Sequence, residues 1–162
     1  MNQKVIAEWL KLTDRTKRNI FEETATSIGF PNAAAVEKDW WVVRTIELVF
    51  KSSIAEHTVF KGGTSLSKAW RLIDRFSEDI DLALDRSHLG FNKTDLEMTN
   101  SQVSKLRRHS QKFVTETFLP EMKQLFAEAG FEEVVLKPGE IKSPDDDPIT
   151  IEVYYNPVSD PI

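Results

Sequence analysis

The alternation of apolar and polar positions is most informative between residues 59 and 84, where its period changes twice. Val59 and Phe60 are apolar residues of the kind common in strands. Gly62 and Gly63 follow at once, and glycine lets the backbone turn tightly or approach a ligand closely. The pattern therefore predicts a strand that ends in a glycine turn.

After the glycines the apolar residues take a helical period. Thr64 or Ser65 is expected to cap this helix by accepting a hydrogen bond from a backbone N–H of its first turn. The spacing i, i+3, i+4, i+7 predicts an amphipathic helix. The apolar residues of its face are Leu66, Ala69, Trp70 and Ile73.

Strict alternation then predicts a second strand, with Ile80, Leu82 and Leu84 on one face. Asp79 and Asp81 are two residues apart on the opposite face, so their carboxylates point the same way from the same end. Like charges this close repel, and such a pair usually needs a hard cation. The helix N-terminus after the glycines suits an anionic phosphate. Together these parts are the ones needed to hold a metal–nucleoside triphosphate.

Helices are predicted before this unit. Residues 2–28 carry two apolar stripes, which indicate two helices, and Gly29 ends the second. A third helix contains the pair Trp40 and Trp41, which we interpret as packing residues because aromatic side chains at helical spacing usually pack.

Beyond residue 99 the pattern predicts one long helix and two strands. Pro120 falls inside the helix and is expected to kink or restart it. The strand-like runs cover residues 133–137 and 149–155, and the second alternates cleanly. Glu152 lies on the polar face of this second run.

Composition limits the class of protein. The chain has 162 residues, enough for one domain with a core, and no cysteine, which excludes disulfides and thiolate metal sites. No apolar run approaches the roughly 20 residues of a membrane helix, and the N-terminus has no signal-peptide pattern. We therefore expect a soluble, cytoplasmic protein with no membrane partner.

The charge is negative overall but uneven. A net charge of −5 provides no global basic field for nucleic acid. One basic cluster is present, and it is either a solvated helix face or a local contact for an RNA backbone. Its members are Lys105, Arg107, Arg108, His109 and Lys112.

Three stretches carry a resemblance to a known family. The sequence GGTS at residues 62–65 and the sequence RFSEDIDL at residues 75–82 resemble the first motif of the DNA polymerase β-type nucleotidyltransferases. More narrowly, they are similar to the AbiEii-like toxin nucleotidyltransferases of bacterial toxin–antitoxin and abortive-infection systems. The sequence VEKDWWV at residues 36–42 resembles the segment that precedes the glycine turn in that branch.

The resemblance implies transfer of a nucleoside monophosphate from a nucleoside triphosphate to an acceptor hydroxyl, with two Mg²⁺ ions. The acceptor is expected to be RNA, such as the 3′ end of a tRNA, although a protein hydroxyl is an alternative. The protein would act as a growth-inhibiting toxin with a cognate antitoxin. Two rival interpretations are a non-catalytic module that binds nucleoside triphosphate or antitoxin, and a small-molecule nucleotidyltransferase of the aminoglycoside type.

The same resemblance assigns roles to residues. Asp79 and Asp81 would be catalytic and bridge both ions, and Glu152 is the candidate for the third carboxylate because it lies in the middle of a strand on the polar face. The alternative for Glu152 is a cross-strand ion-pair partner. The residues expected to bind the nucleotide are Gly62, Gly63, Thr64, Ser65, Arg75 and Ser77.

The expected fold is α/β (α+β): a nucleotidyltransferase core with a small mixed β-sheet flanked by helices. We assign residues 55–162 to this core and residues 1–54 to an N-terminal helical annex. Members of the branch carry a further helical region after the third strand, with a lysine and an acidic residue that contribute to activity. Nothing in this sequence matches that region, so we expect a truncated chain whose core lacks it.

Overall fold

The computed structural model describes residues 3–72, 79–143 and 146–160. None of the helices within these ranges is both long and apolar enough to cross a membrane. The α-helices are α1 (Gln3–Leu10), α2 (Asp14–Ile28), α3 (Ala33–Val49), α4 (Gly62–Lys68), α5 (Asn100–Phe113) and α6 (Leu119–Glu128). The strands are β1 (Thr58–Lys61), β2 (Asp81–Leu84), β3 (Val135–Pro138) and β4 (Ile151–Tyr154), and short 3₁₀ turns cover Ala55–His57, Arg86–Leu89 and Asp95–Glu97.

Both ends of α2 and the start of α3 follow from local capping. The Thr13 hydroxyl accepts a hydrogen bond from the Thr16 N–H at 3.2 Å, and the Asn32 side chain accepts one from the Ala35 N–H at 2.9 Å. Gly29 ends α2 in the left-handed conformation. The predicted end of the second helix at Gly29 is therefore confirmed.

The paired tryptophans of α3 pack as predicted. The Trp40 ring lies 5.2 Å from the Trp9 ring and 4.9 Å, edge to face, from the Trp41 ring. Trp41 stacks in turn on Tyr155, with ring centroids 4.8 Å apart. Both rings therefore join α1 and the end of the chain to α3 and act as packing residues.

The main core crosses the predicted boundary at residue 54. Leu48 and Val49 at the end of α3 are buried against residues of α6, and Leu82 and Val153 pack on the same cluster from β2 and β4. Helix α3 therefore shares its core with the later part of the chain. The division into residues 1–54 and 55–162 stays a prediction.

The strands form two separate antiparallel pairs, β1–β2 and β3–β4, so the expected single mixed sheet is wrong within the described residues. In the first pair Thr58 lies opposite Leu84, and in the second Val135 lies opposite Tyr154. Periodicity predicts a strand but carries no information about its partner, because pairing depends on residues far away in sequence. The fold combines helices with small antiparallel sheets, which is an α+β arrangement.

The long helix restarts at Pro120, as predicted. A π-helical turn at Val114–Phe118 separates α5 from α6, and Pro120 is the second residue of α6. Proline lacks the N–H that would bond to the carbonyl of Glu116, four residues earlier, so the backbone changes its hydrogen-bonding pattern there.

A buried carboxylate anchors the segment after β4. Glu37 of α3 is 3% exposed and accepts hydrogen bonds from the backbone N–H groups of Val158 at 2.9 Å and Ser159 at 2.8 Å. The Arg18 guanidinium donates to the Val158 carbonyl at 2.7 Å. This contact has no local sequence signal, because it joins positions more than 120 residues apart.

Candidate active site

The glycine turn brings Asp81 against the start of α4. Gly62 is the first residue of α4 and has a φ of +73°, a conformation that favours glycine. A Cβ at this position would overlap the Asp81 carboxylate, which lies against the glycine Cα. The absence of a side chain at Gly62 is therefore what lets Asp81 take its place beside the turn.

The two hydroxyl residues after the glycines bond to backbone carbonyls. Thr64 is fully buried, and its hydroxyl donates to the backbone carbonyl of Asp79. The Ser65 hydroxyl donates to the Gly62 carbonyl at 2.9 Å. The prediction that one of them caps α4 is wrong, because Lys61 occupies the N-cap position. Thr64 instead links the glycine turn to the entry of β2.

Helix α4 is shorter than its apolar period indicated. It ends at Lys68, and Leu66 and Trp70 are 40% and 69% exposed, so the expected apolar face does not form a buried stripe. Ile73, the last position of that face, lies outside the described residues. Two glycines and two serines in seven residues favour a helix weakly, and little packing compensates.

The two aspartates lie at one end of β2, beside the turn. Asp81 is the first residue of the strand and Asp79 precedes it, so the strand starts later than predicted. Both residues are exposed. Their carboxylates are the hard oxygen ligands that Mg²⁺ prefers, so the chemistry of the two side chains suits a divalent cation. Arg75 and Ser77, which we expected to contact nucleotide, lie outside the described residues.

Glu152 lies on the other sheet. It is exposed in β4, opposite Lys137 of β3, and its carboxylate accepts a hydrogen bond from the Tyr154 hydroxyl at 2.6 Å. This bond raises the pKa of Tyr154. In the described ranges no group of three His, Cys, Asp or Glu residues could hold a metal ion. The structure therefore does not bring Glu152 together with the aspartates, and its role as a third ligand stays a prediction.

An ion pair connects α3 to the turn unit. Lys68, at the end of α4, pairs with Asp39, and their side chains are only 27% and 19% exposed. Lys68 therefore does not simply face solvent, as a lysine near the end of a short exposed helix usually does. Asp39 belongs to the segment of residues 36–42, which this contact holds beside the glycine turn.

Two features near the site had no sequence signal. Lys61 lies directly opposite Asp81 in the β1–β2 register, and the pairing of two strands is not readable from either one. The rings of His57 and His88 stack with centroids 4.2 Å apart, although 30 residues separate them in the chain. The pairing of β1 with β2, which brings His57 close to the turn after β2, explains this stack.

The basic cluster is exposed along α5. The Arg107 guanidinium lies 3.9 Å from Asp147, and Lys112 lies 3.7 Å from Glu116 on the same helix. These contacts fit a solvated helix face with exposed ion pairs, which contribute little to stability. A role of this face in RNA binding stays a prediction.

A family model described as the nucleotidyl transferase AbiEii toxin of type IV toxin–antitoxin systems matches residues 47–162. The chain belongs to the AbiEii family. The match confirms the resemblance that residues 62–65 and 75–82 carry, and it extends from the last turn of α3 through both sheets. No curated protein and no solved structure matches the chain.

Membership in the AbiEii family indicates a nucleotidyltransferase toxin. The family consists of nucleotidyl transferase toxins of toxin–antitoxin systems, which implies a nucleoside triphosphate as substrate and an antitoxin as partner. The glycine turn and the aspartates at β2 lie inside the matched residues.

Proposed function

We propose that this protein is a metal-dependent nucleotidyltransferase that acts as a toxin by modifying RNA, with tRNA as the acceptor. An acceptor hydroxyl oxygen attacks the α-phosphorus of a nucleoside triphosphate and forms a new phosphodiester bond. The bond between the α-phosphorus and the bridging oxygen to the β-phosphate breaks, and pyrophosphate leaves. The hydroxyl proton passes to solvent.

The arrangement of Asp79 and Asp81 beside the glycine turn carries this proposal. Gly62 admits the Asp81 carboxylate, and the bond from Thr64 to the Asp79 carbonyl holds the chain in register just before β2. Two exposed carboxylates are thus held two residues apart next to a backbone that a phosphate can approach. Mere surface aspartates would not require a glycine at position 62.

Asp79 and Asp81 would hold Mg²⁺ in this proposal. When bound, the metal would neutralise the triphosphate and lower the pKa of the attacking hydroxyl. The hydroxyls of Thr64 and Ser65 already donate to backbone carbonyls, so we assign these residues to the shape of the turn. Gly62 and Gly63 are then the residues whose backbone would face the phosphates.

The decisive experiment is a transfer assay with each α-labelled nucleoside triphosphate, Mg²⁺ and total tRNA. The protein is compared with the double variant Asp79→Asn/Asp81→Asn and with Glu133→Gln, a control at an exposed carboxylate before β3. We expect label in tRNA and release of pyrophosphate from the parent and the control, and neither from the double variant.

Other outcomes separate the rival functions. Triphosphate binding that depends on Mg²⁺ and the aspartates, without transfer, would indicate a binding module. Transfer to an aminoglycoside but not to RNA would indicate a small-molecule enzyme. Transfer that survives in the double variant would contradict the proposed site.

A further inference from the structure

Two lysines flank the glycine turn, and within the described part of the chain only Lys68 has an acidic partner. Lys68 is held by Asp39 in a largely buried ion pair. Lys61, the residue immediately before Gly62, is exposed, and its ammonium group forms no hydrogen bond or ion pair with the residues that the structure describes. Its ammonium group is therefore available to a ligand, whereas that of Lys68 is not.

The strand register puts Lys61 on the same face as Asp81. The two residues are direct partners across β1 and β2. Side chains of direct partners in an antiparallel pair project from one face, with Cβ atoms about 4.5–5.5 Å apart. An ion pair across the strands would be the ordinary result of this arrangement. The Asp81 carboxylate instead lies against Gly62, which leaves the lysine unneutralised.

In the second sheet the corresponding charged residues both interact with a neighbouring tyrosine. There Lys137 lies directly opposite Glu152, the same combination of residue types in the same kind of register. The Lys137 ammonium lies 5.2 Å from the centre of the Tyr154 ring, and the Tyr154 hydroxyl donates to Glu152. Both charged groups thus interact within their own sheet, in contrast to those of β1 and β2.

We propose that Lys61 is a binding residue for the polyphosphate of the nucleoside triphosphate. Its ammonium would contact phosphate oxygens on the face it shares with Asp81, as a point charge with three donors. This inference rests on the proposed function, because it assigns the cation that balances the triphosphate beside the two carboxylates.

Binding of an α,β-methylene nucleoside triphosphate in the presence of Mg²⁺ tests the assignment without catalysis. The full chain is compared with Lys61→Ala, Lys61→Arg and the control Lys137→Ala. We expect Lys61→Ala to raise the Kd about tenfold, the typical effect of losing one charge-assisted hydrogen bond. We expect Lys61→Arg to stay within about threefold, because it keeps the charge.

A second readout is how the loss of binding depends on the number of phosphates in the ligand. The loss in Lys61→Ala should be largest for the triphosphate and for inorganic triphosphate and smallest for the monophosphate, whereas Lys137→Ala should change none of them. In the transfer assay the KM for nucleoside triphosphate should rise more than kcat falls. Thermal unfolding of each variant shows whether its fold is retained.

Each remaining outcome is decisive. Unchanged triphosphate binding by Lys61→Ala, with tRNA still modified by the parent chain, would overturn the role of Lys61 and leave the proposed function standing. Equal losses in Lys61→Ala and Lys61→Arg, with lowered thermal stability, would assign Lys61 a structural role. A parent chain that neither binds triphosphate nor transfers label would overturn both proposals.

Discussion

The two small sheets have nearly the same construction and use their charged residues differently. Each is an antiparallel pair of four-residue strands that packs on the same core. Each carries one lysine directly opposite one acidic residue, Lys61 with Asp81 and Lys137 with Glu152. In β3–β4 the neighbouring Tyr154 engages both charges. In β1–β2 the carboxylate is turned to the glycine and the lysine is free of ionic partners among the described residues.

This difference distinguishes a structural pair from a candidate site. Charges that each interact with a neighbouring side chain of their own sheet add modestly to its stability. Lys61 and Asp81, which are kept apart at Gly62, add little to the stability of their sheet. Their charges remain available to a phosphate or a metal. The comparison therefore supports β1–β2 as the reactive sheet and β3–β4 as its structural counterpart.

The largest expected effect concerns the acidic residues of the two sheets. Asp79→Asn/Asp81→Asn should reduce transfer at least about 1,000-fold, since loss of metal stabilisation costs several kcal/mol in the transition state. Glu152→Gln should reduce the transfer rate less than about tenfold, because the Glu152 carboxylate already accepts a hydrogen bond from Tyr154. Initial rates of label transfer measure both. A loss in Glu152→Gln as large as that of the double variant would make Glu152 the third metal ligand.

The next largest effect is on stability and concerns Glu37, which binds the segment after β4. Glu37→Ala removes the acceptor of two backbone N–H groups just after β4, and should lower the free energy of unfolding by about 2–4 kcal/mol. Glu23→Ala, at an exposed position of α2, should change it by less than about 0.5 kcal/mol. Urea unfolding of the two variants checks this. Equal stability of both would mean that the segment after β4 is not anchored by Glu37.

The glycine of the reactive sheet can be tested against a matched glycine. Gly62→Ala should cost about 1–2 kcal/mol for a positive φ and a further cost for overlap with Asp81, and it should impair transfer. Gly90 has a φ of +81° and nothing within 4 Å of a new Cβ, so Gly90→Ala isolates the backbone cost. If both variants are equally stable and active, the contact between Gly62 and Asp81 is not important.

The smallest effect is a titration in the structural sheet. The bond to Glu152 raises the pKa of Tyr154, so the contact is present at neutral pH and is lost as the pH rises through that raised pKa. In a Tyr155→Phe background Tyr154 is the only tyrosine, and ultraviolet absorbance reports its ionisation alone. Glu152→Gln should lower this pKa toward the ordinary value. An unchanged titration curve would contradict the contact.

Local signals predicted much of the fold. The stop of α2 at Gly29 and the restart at Pro120 both depend on residues within one or two helical turns. The failures are α4 and the single mixed sheet. Apolar spacing predicted a helix face that finds no surface to pack on, and periodicity contains no information about which strand pairs with which.

The family, the glycine turn and the two aspartates beside it are readable from the amino-acid sequence, because a turn and a two-residue spacing are properties of consecutive residues. Most of the contacts between charged groups, in contrast, are visible only in the folded chain. In the fold Lys68 pairs with Asp39, Glu37 accepts hydrogen bonds from the backbone of Val158 and Ser159, and Lys61 has no ionic partner among the described residues. The physical reason is that these outcomes depend on strand partners and helix packing, which bring together residues that are distant in the chain.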